Sequence, residues 1–140
     1  MASYELVMIR PCYLVVDRET SNGISTRKLV LETAKYNVIT AYSGKEAIEL
    51  VTRFPAISGV VLDGGIQDMP CEEVVRQIKA LEVKVPIVVI ATLGSDDCPQ
   101  SDYQLHSYDP AKLLETLRKI KPDASAAIEK RNEELNREKY

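Results

Sequence analysis

The chain has 140 residues, enough for one domain with a proper core and short for two. Its hydrophobic content of 45% is ordinary for a folded globular protein, and its net charge of −3 gives no bulk electrostatic reason to bind nucleic acid. The N-terminal apolar patch at residues 6–9 is too short for a signal peptide, and no run is long enough to span a membrane.

In chain order, residues 1–11 mix polar and apolar side chains, end in Pro11 and read as a leader. Residues 12–16 are apolar and β-favouring, a first strand that runs into Asp17, Arg18 and Glu19. After a loop in which Ser21 or Asn22 can act as cap, apolar residues at helical spacing predict a helix over 24–35. A short strand follows at 37–40. Ser43 can then cap a helix over 45–53 that Phe54-Pro55 stops.

Residues 59–62 are an uninterrupted apolar run ending in Asp63, with Gly64 and Gly65 behind it. Such a run fits a strand buried on both faces, and the glycines let the chain turn sharply beyond it. Asp63 then sits at the carboxyl end of a buried strand, where open α/β sheets place their ligand crevice. The plain alternative is a carboxylate that caps a turn or the next helix.

A helix is predicted from about 72 to 81 and another apolar strand over 86–91. Residues 93–101 carry no helical pattern, and 102–108 alternate as a short strand does. Asp109 and Pro110 open a helix to about 120 as N-cap and first helical residue. Residues 122–140 form a highly charged helical extension. Strands alternating with helices imply a five-stranded parallel sheet in a doubly wound, three-layer α/β/α fold.

The cysteines Cys12, Cys71 and Cys98 lie far apart with no CxxC pair. This spacing argues against a zinc site or a disulfide framework, suits a reducing cytoplasm, and makes each a small buried or half-buried side chain.

Residues 12–120 resemble the receiver domain of two-component response regulators, a flavodoxin-like fold. The resemblance is carried by YLVVD closing the first strand, AYSGKEAIEL opening the second helix and VVLD closing the third strand. PIVVIAT as the fourth strand and DYQLHSYDPAKLLETL as the fifth strand and last helix complete it. It implies a cytoplasmic, non-enzymatic signalling module served by a histidine kinase or phosphotransfer protein and read by an output partner. The charge and the lack of a long apolar run give no reason to expect nucleic-acid or membrane contact by this domain. Asp63 matches the phosphoacceptor, and Asp17 with the Gly65 carbonyl would join it in holding Mg²⁺.

Several positions depart from the family pattern. Arg18 stands where a second acid is usual, and Glu19 replaces that acid only if the loop rearranges. Arg18 either pairs with Asp63 and repels Mg²⁺, or points to solvent. Ala91 falls at the hydroxyl position, and strand alternation is expected to point Thr92 elsewhere. Tyr103 matches the switch aromatic. His106 aligns with the usual lysine; it is a weak substitute, a phosphorylated or metal-bound histidine, or a structural strand-end residue. The Asp96-Asp97 pair reads as a solvated loop. About ten residues join the last two strands, so the family's fourth helix is expected to be absent or reduced to a turn.

Two readings of function follow: a phosphoaccepting receiver with an atypical switch at Asp63, and a receiver-like interaction module independent of phosphorylation. The C-terminal helix, with Ile128 and Leu135 a heptad apart, is a linker helix, a weak homodimer contact or a solvated end. A phosphatase using an aspartyl-phosphate would want a carboxylate where Gly65 stands, and no glycine-rich phosphate loop follows the first strand.

Overall fold

The computed structural model describes residues 10–18, 25–92 and 98–139. The chain runs β1 (Cys12–Val16), α1 (Thr26–Thr33), β2 (Asn37–Ala41), α2 (Gly44–Arg53), β3 (Gly59–Asp63), α3 (Cys71–Ala80), β4 (Ile87–Ile90), β5 (Tyr103–Leu105), α4 (Pro110–Ile120) and α5 (Pro122–Lys139). All strand pairs are parallel, and the sheet order is β2-β1-β3-β4-β5. The order reverses next to β1, which makes the carboxyl ends of β1 and β3 the crevice of this fold.

The apolar runs of β1, β3 and β4 are needed because these strands are covered on both faces. Leu14, Val16, Val60, Leu62, Ile87 and Val89 pack beneath α2 and α3, with Ala47, Val51, Val74, Val75 and Ile78. Tyr13, Val15, Val61, Val88 and Ile90 form the opposite core with Leu31, Leu113, Leu117 and Ile128 from α1, α4 and α5. Alternation along each strand sends neighbours to opposite layers, giving three layers and two cores. Among the described residues, no helix is long and apolar enough to cross a membrane.

Side-chain caps set most helix starts. Ser43 accepts from Glu46 N at 3.1 Å, and Asp109 accepts from Ala111 N at 3.0 Å ahead of Pro110. The first helix differs from expectation: Ser25, not Ser21 or Asn22, is its cap, accepting from Lys28 N at 3.1 Å, and the helix begins at Thr26. Serine at 25 lies next to the apolar stripe and satisfies an orphan N–H directly, which is what decides the boundary. Ser21, Asn22 and Ile24 lie outside the described residues.

Between β4 and β5, Cys98–Ser101 forms a turn held by Ser101 N to Cys98 O at 3.0 Å, and no helix occurs among the described residues there. Residues 93–97, including Asp96 and Asp97, lie outside the description. Among the described residues there are five helices, and the last two, α4 and α5, follow β5 in succession. The last, α5, is docked over its first half: Ile128 is 3% exposed, and Ser125 Oγ lies 2.6 Å from the Tyr36 hydroxyl. Beyond it the helix is mostly exposed, with Leu135 at 42%.

The cysteine expectation is corrected in part. Cys71, the first residue of α3, and Cys98 are joined as a disulfide with Cα atoms 6.3 Å apart. Twenty-seven residues of sequence hide this proximity, because parallel topology brings the segments that follow adjacent strands β3 and β4 side by side. Both are buried, as expected, and Cys12 is a half-buried free thiol whose pKa burial pushes up.

Candidate functional site

Asp63 closes β3 with only 3% of its surface exposed. Its register partner is Ile90 of β4, and Gly64 N donates to Ile90 O at 2.9 Å, fixing the strand end. One carboxylate oxygen, Oδ1, accepts from Gly65 N at 2.7 Å. The other, Oδ2, accepts from Arg27 Nη1 at 2.8 Å. The same Nη1 donates to Asp17 Oδ1 at 2.7 Å, so one guanidinium nitrogen bridges the two carboxylates.

Arg27 is the second residue of α1, and its side chain is 12% exposed. Its guanidinium carbon lies 5.2 Å from the centre of the Tyr108 ring, a cation–π distance. Burial pulls the Arg27 pKa down, but the hydrogen bonds to Asp63 and Asp17 outweigh it and leave the pKa raised. A buried charge is tolerated only when paired and hydrogen-bonded, and here each partner supplies both.

Arg18 also reaches the pocket. Its Nε lies 3.4 Å from Asp63 Oδ2, while 43% of its side chain stays in solvent. The contact is a single ion pair rather than a bidentate fork. Two guanidiniums thus face two carboxylates, and this part of the crevice is formally neutral.

Gly65 is required by close approach. A Cβ placed there would stand 2.7 Å from Thr92 Oγ1, 3.2 Å from Arg18 Cζ and 3.3 Å from Asp63 Oδ1. Thr92 therefore turns its hydroxyl into the crevice, contrary to the expectation from strand alternation. The reason is that β4 ends at Ile90, so period-two alternation no longer applies two residues later. Ala91 is tied through its N–H to Leu105 O at 2.8 Å.

The remaining candidates divide. Tyr103 is half-buried in β5, on the layer covered by α1, α4 and α5. His106 is exposed just past β5. Glu19 lies outside the described residues. Asp68, in the loop after Asp63, accepts from Gly44 N at 2.8 Å and Lys45 N at 3.0 Å and so pins that loop to the start of α2.

Arg27 and Tyr108 are the site residues that the sequence reading missed. No local pattern marks Arg27: it is a polar residue in the first turn of an amphipathic helix, where a solvated arginine reads the same way. Only a cap at Ser25 sets the helix register that aims it at Asp17 and Asp63.

The residues do not fit a magnesium ion in this arrangement. Mg²⁺ demands close octahedral oxygen ligation, but one oxygen each of Asp17 and Asp63 already accepts from Arg27, and the other Asp63 oxygen accepts from Gly65 N. Among the described residues, no group of three His, Cys, Asp or Glu surrounds a point where a cation could sit.

No protein-family model and no curated protein matches the chain. Solved structures do. A CheY-like response regulator receiver domain from Methylobacillus flagellatus is 22% identical, with a TM-score of 0.70, over 81% of this chain and 100% of that one. The receiver domain of the sensor histidine kinase PA1611 from Pseudomonas aeruginosa PAO1, with magnesium in its active site cleft, is 20% identical. It covers 79% of this chain and 97% of its own, at a TM-score of 0.70. A response regulator receiver protein from Pseudomonas putida is 25% identical over 81% and 99%, at a TM-score of 0.63. Sheet order, layer arrangement and these likenesses agree: the chain has the flavodoxin-like fold of response-regulator receiver domains.

Proposed function

We propose that this chain is a non-enzymatic signalling module of the two-component type whose crevice carries its own cation in place of Mg²⁺. It signals by binding a partner rather than by metal-dependent phosphoryl transfer to Asp63. The observation that carries this reading is the Arg27 Nη1 bridge to Asp17 and Asp63 at 2.7 and 2.8 Å. In phosphoryl transfer a metal neutralises charge between the acceptor and the incoming oxygens and also binds those oxygens. A guanidinium locked onto both carboxylates supplies the neutralisation but occupies the place of the metal. Arg18 adds a second positive group beside Asp63.

The partners on this reading belong to the same signalling system: a histidine kinase, a phosphotransfer protein or an output protein. The likeness to the receiver of a sensor kinase and to free-standing receivers supports the class of partner and does not choose among them.

The test is incubation of the protein with Mg²⁺ and acetyl phosphate, read by intact mass. No adduct is expected, and no chemical-shift change with beryllofluoride. An adduct that is lost in Asp63→Asn would restore Asp63 as a working phosphoacceptor and overturn the binding-only reading.

A further inference from the structure

The Cys71–Cys98 pair stands outside the Asp63 chemistry but beside the crevice. Asp63 and Ile90 are register partners at the carboxyl ends of β3 and β4. From these ends the chain runs forward in two directions, through Gly65 to Cys71 and through Thr92 to Cys98. The disulfide joins the two paths. Together with the β3–β4 hydrogen bonds it closes a ring, part covalent and part hydrogen-bonded, with Gly65 on one arm and Thr92 on the other.

Within that ring the two arms approach closely. Thr92 Oγ1 would stand 2.7 Å from a Cβ at Gly65, so a small relative movement of the arms changes what surrounds Asp63. Cys98 is fully buried among α3 and β4 residues, and Cys71 is 2% exposed. Exchange with an outside thiol therefore passes through local opening of this edge. The β4–β5 connection has no helix among its described residues, and the bridge is its covalent tether to α3.

We propose that Cys71 and Cys98 form a reversible redox modification site, oxidised by a low-molecular-weight disulfide and reduced by a dithiol. Its state sets the spacing of the Gly65 and Thr92 arms. In the forward direction one thiolate attacks the small disulfide, forming a mixed disulfide and releasing one thiol. The second cysteine then attacks the mixed disulfide at the protein sulfur, closing Cys71–Cys98 and releasing the second thiol. Two protein thiols are oxidised, one small disulfide is reduced to two thiols, and the two protons pass to the released thiolates.

The test uses the whole chain, folded, equilibrated with dithiothreitol or with oxidised glutathione, then unfolded and alkylated for intact mass. The reduced protein is expected to take three alkyl groups. The oxidised protein is expected to take one, on Cys12, and to yield a Cys71–Cys98 linked peptide on digestion. Dithiothreitol returns the count to three. The Gly65 and Thr92 amide resonances are expected to shift between the two states, and Cys71→Ser is expected to abolish that shift. Three alkyl groups after glutathione treatment, or a bridge involving Cys12, overturns the site. A bridge that forms with both amide resonances unmoved overturns its control of the crevice. The alkylation count on the unaltered chain decides the first point even if Cys71→Ser does not fold.

Discussion

Arg27 and Asp63, thirty-six positions apart, meet at 2.8 Å in a buried ion pair that also holds Asp17 at 2.7 Å. The pair sits where the receiver fold brings its strand ends together, so a helix residue supplies the positive charge there. With Arg18 beside Asp63 as the second cation, the two carboxylates are balanced without a ligand. Arg27 also couples the strand ends to α1 and, through the Tyr108 ring, to the turn before α4.

Arg27→Ala removes that cation and leaves Asp17 and Asp63 with only the half-exposed Arg18 beside them. Breaking a buried pair on one side costs a few kcal/mol, so a loss of roughly 3 kcal/mol is expected in urea denaturation without metal. Millimolar Mg²⁺ is expected to recover part of it by taking the vacated place, and to leave the unaltered protein's stability unchanged. If the variant gains nothing from Mg²⁺, Arg27 does not occupy a latent metal position.

Gly44→Ala tests packing at the start of α2. Alanine is worth up to about 1 kcal/mol over glycine in a helix interior and less at this first helical position, so propensity alone does not oppose the substitution. Here the new Cβ would fall 2.6 Å from Val74 Cγ2 and 2.8 Å from Met69 Cγ. Overpacking costs about 1–3 kcal/mol, so net destabilisation is expected, and Val74→Ala in the same chain is expected to relieve it. A stabilised single variant would show that this contact yields freely.

The two halves of α5 are expected to respond differently. Ile128→Ala removes a side chain from the core shared by Leu31, Leu113 and Leu117 and is expected to cost about 2–4 kcal/mol. Leu135→Ala, on the exposed half, is expected to stay within about 0.5 kcal/mol. Equal effects in chemical denaturation would contradict the docking of the first half.

Acid titration has a defined sign at Glu73 on α3. The Arg76 guanidinium and the Gln77 amide donate to this carboxylate and hold its pKa at about 2, against an ordinary 4.5. Between these values the folded chain binds fewer protons at Glu73 than the unfolded chain. The contribution is therefore complete above pH 4.5 and is lost as pH falls toward 2. A carbon-detected titration of the Glu73 carboxyl is expected to show the low value, and Arg76→Gln to return it toward 4.5.

What the sequence determined by itself was the set of elements and their order. Uninterrupted apolar runs at β1, β3 and β4 require burial on both faces, helical spacing between them requires crossovers, and Ser43 and Asp109 set helix starts by local hydrogen bonds. Asp63 at the end of β3 and Asp17 beyond β1 were legible for the same reason, since strand ends in a parallel sheet converge. Tertiary structure decided what surrounds them. Arg27 became the buried cation because a cap at Ser25 fixed the register of α1, a choice among several polar residues that composition does not rank. Thr92 entered the crevice because β4 stopped two residues before it, and Cys98 met Cys71 because neighbouring parallel strands release their chains on the same side. Local patterns constrain one residue at a time, whereas these contacts depend on where whole elements end in space.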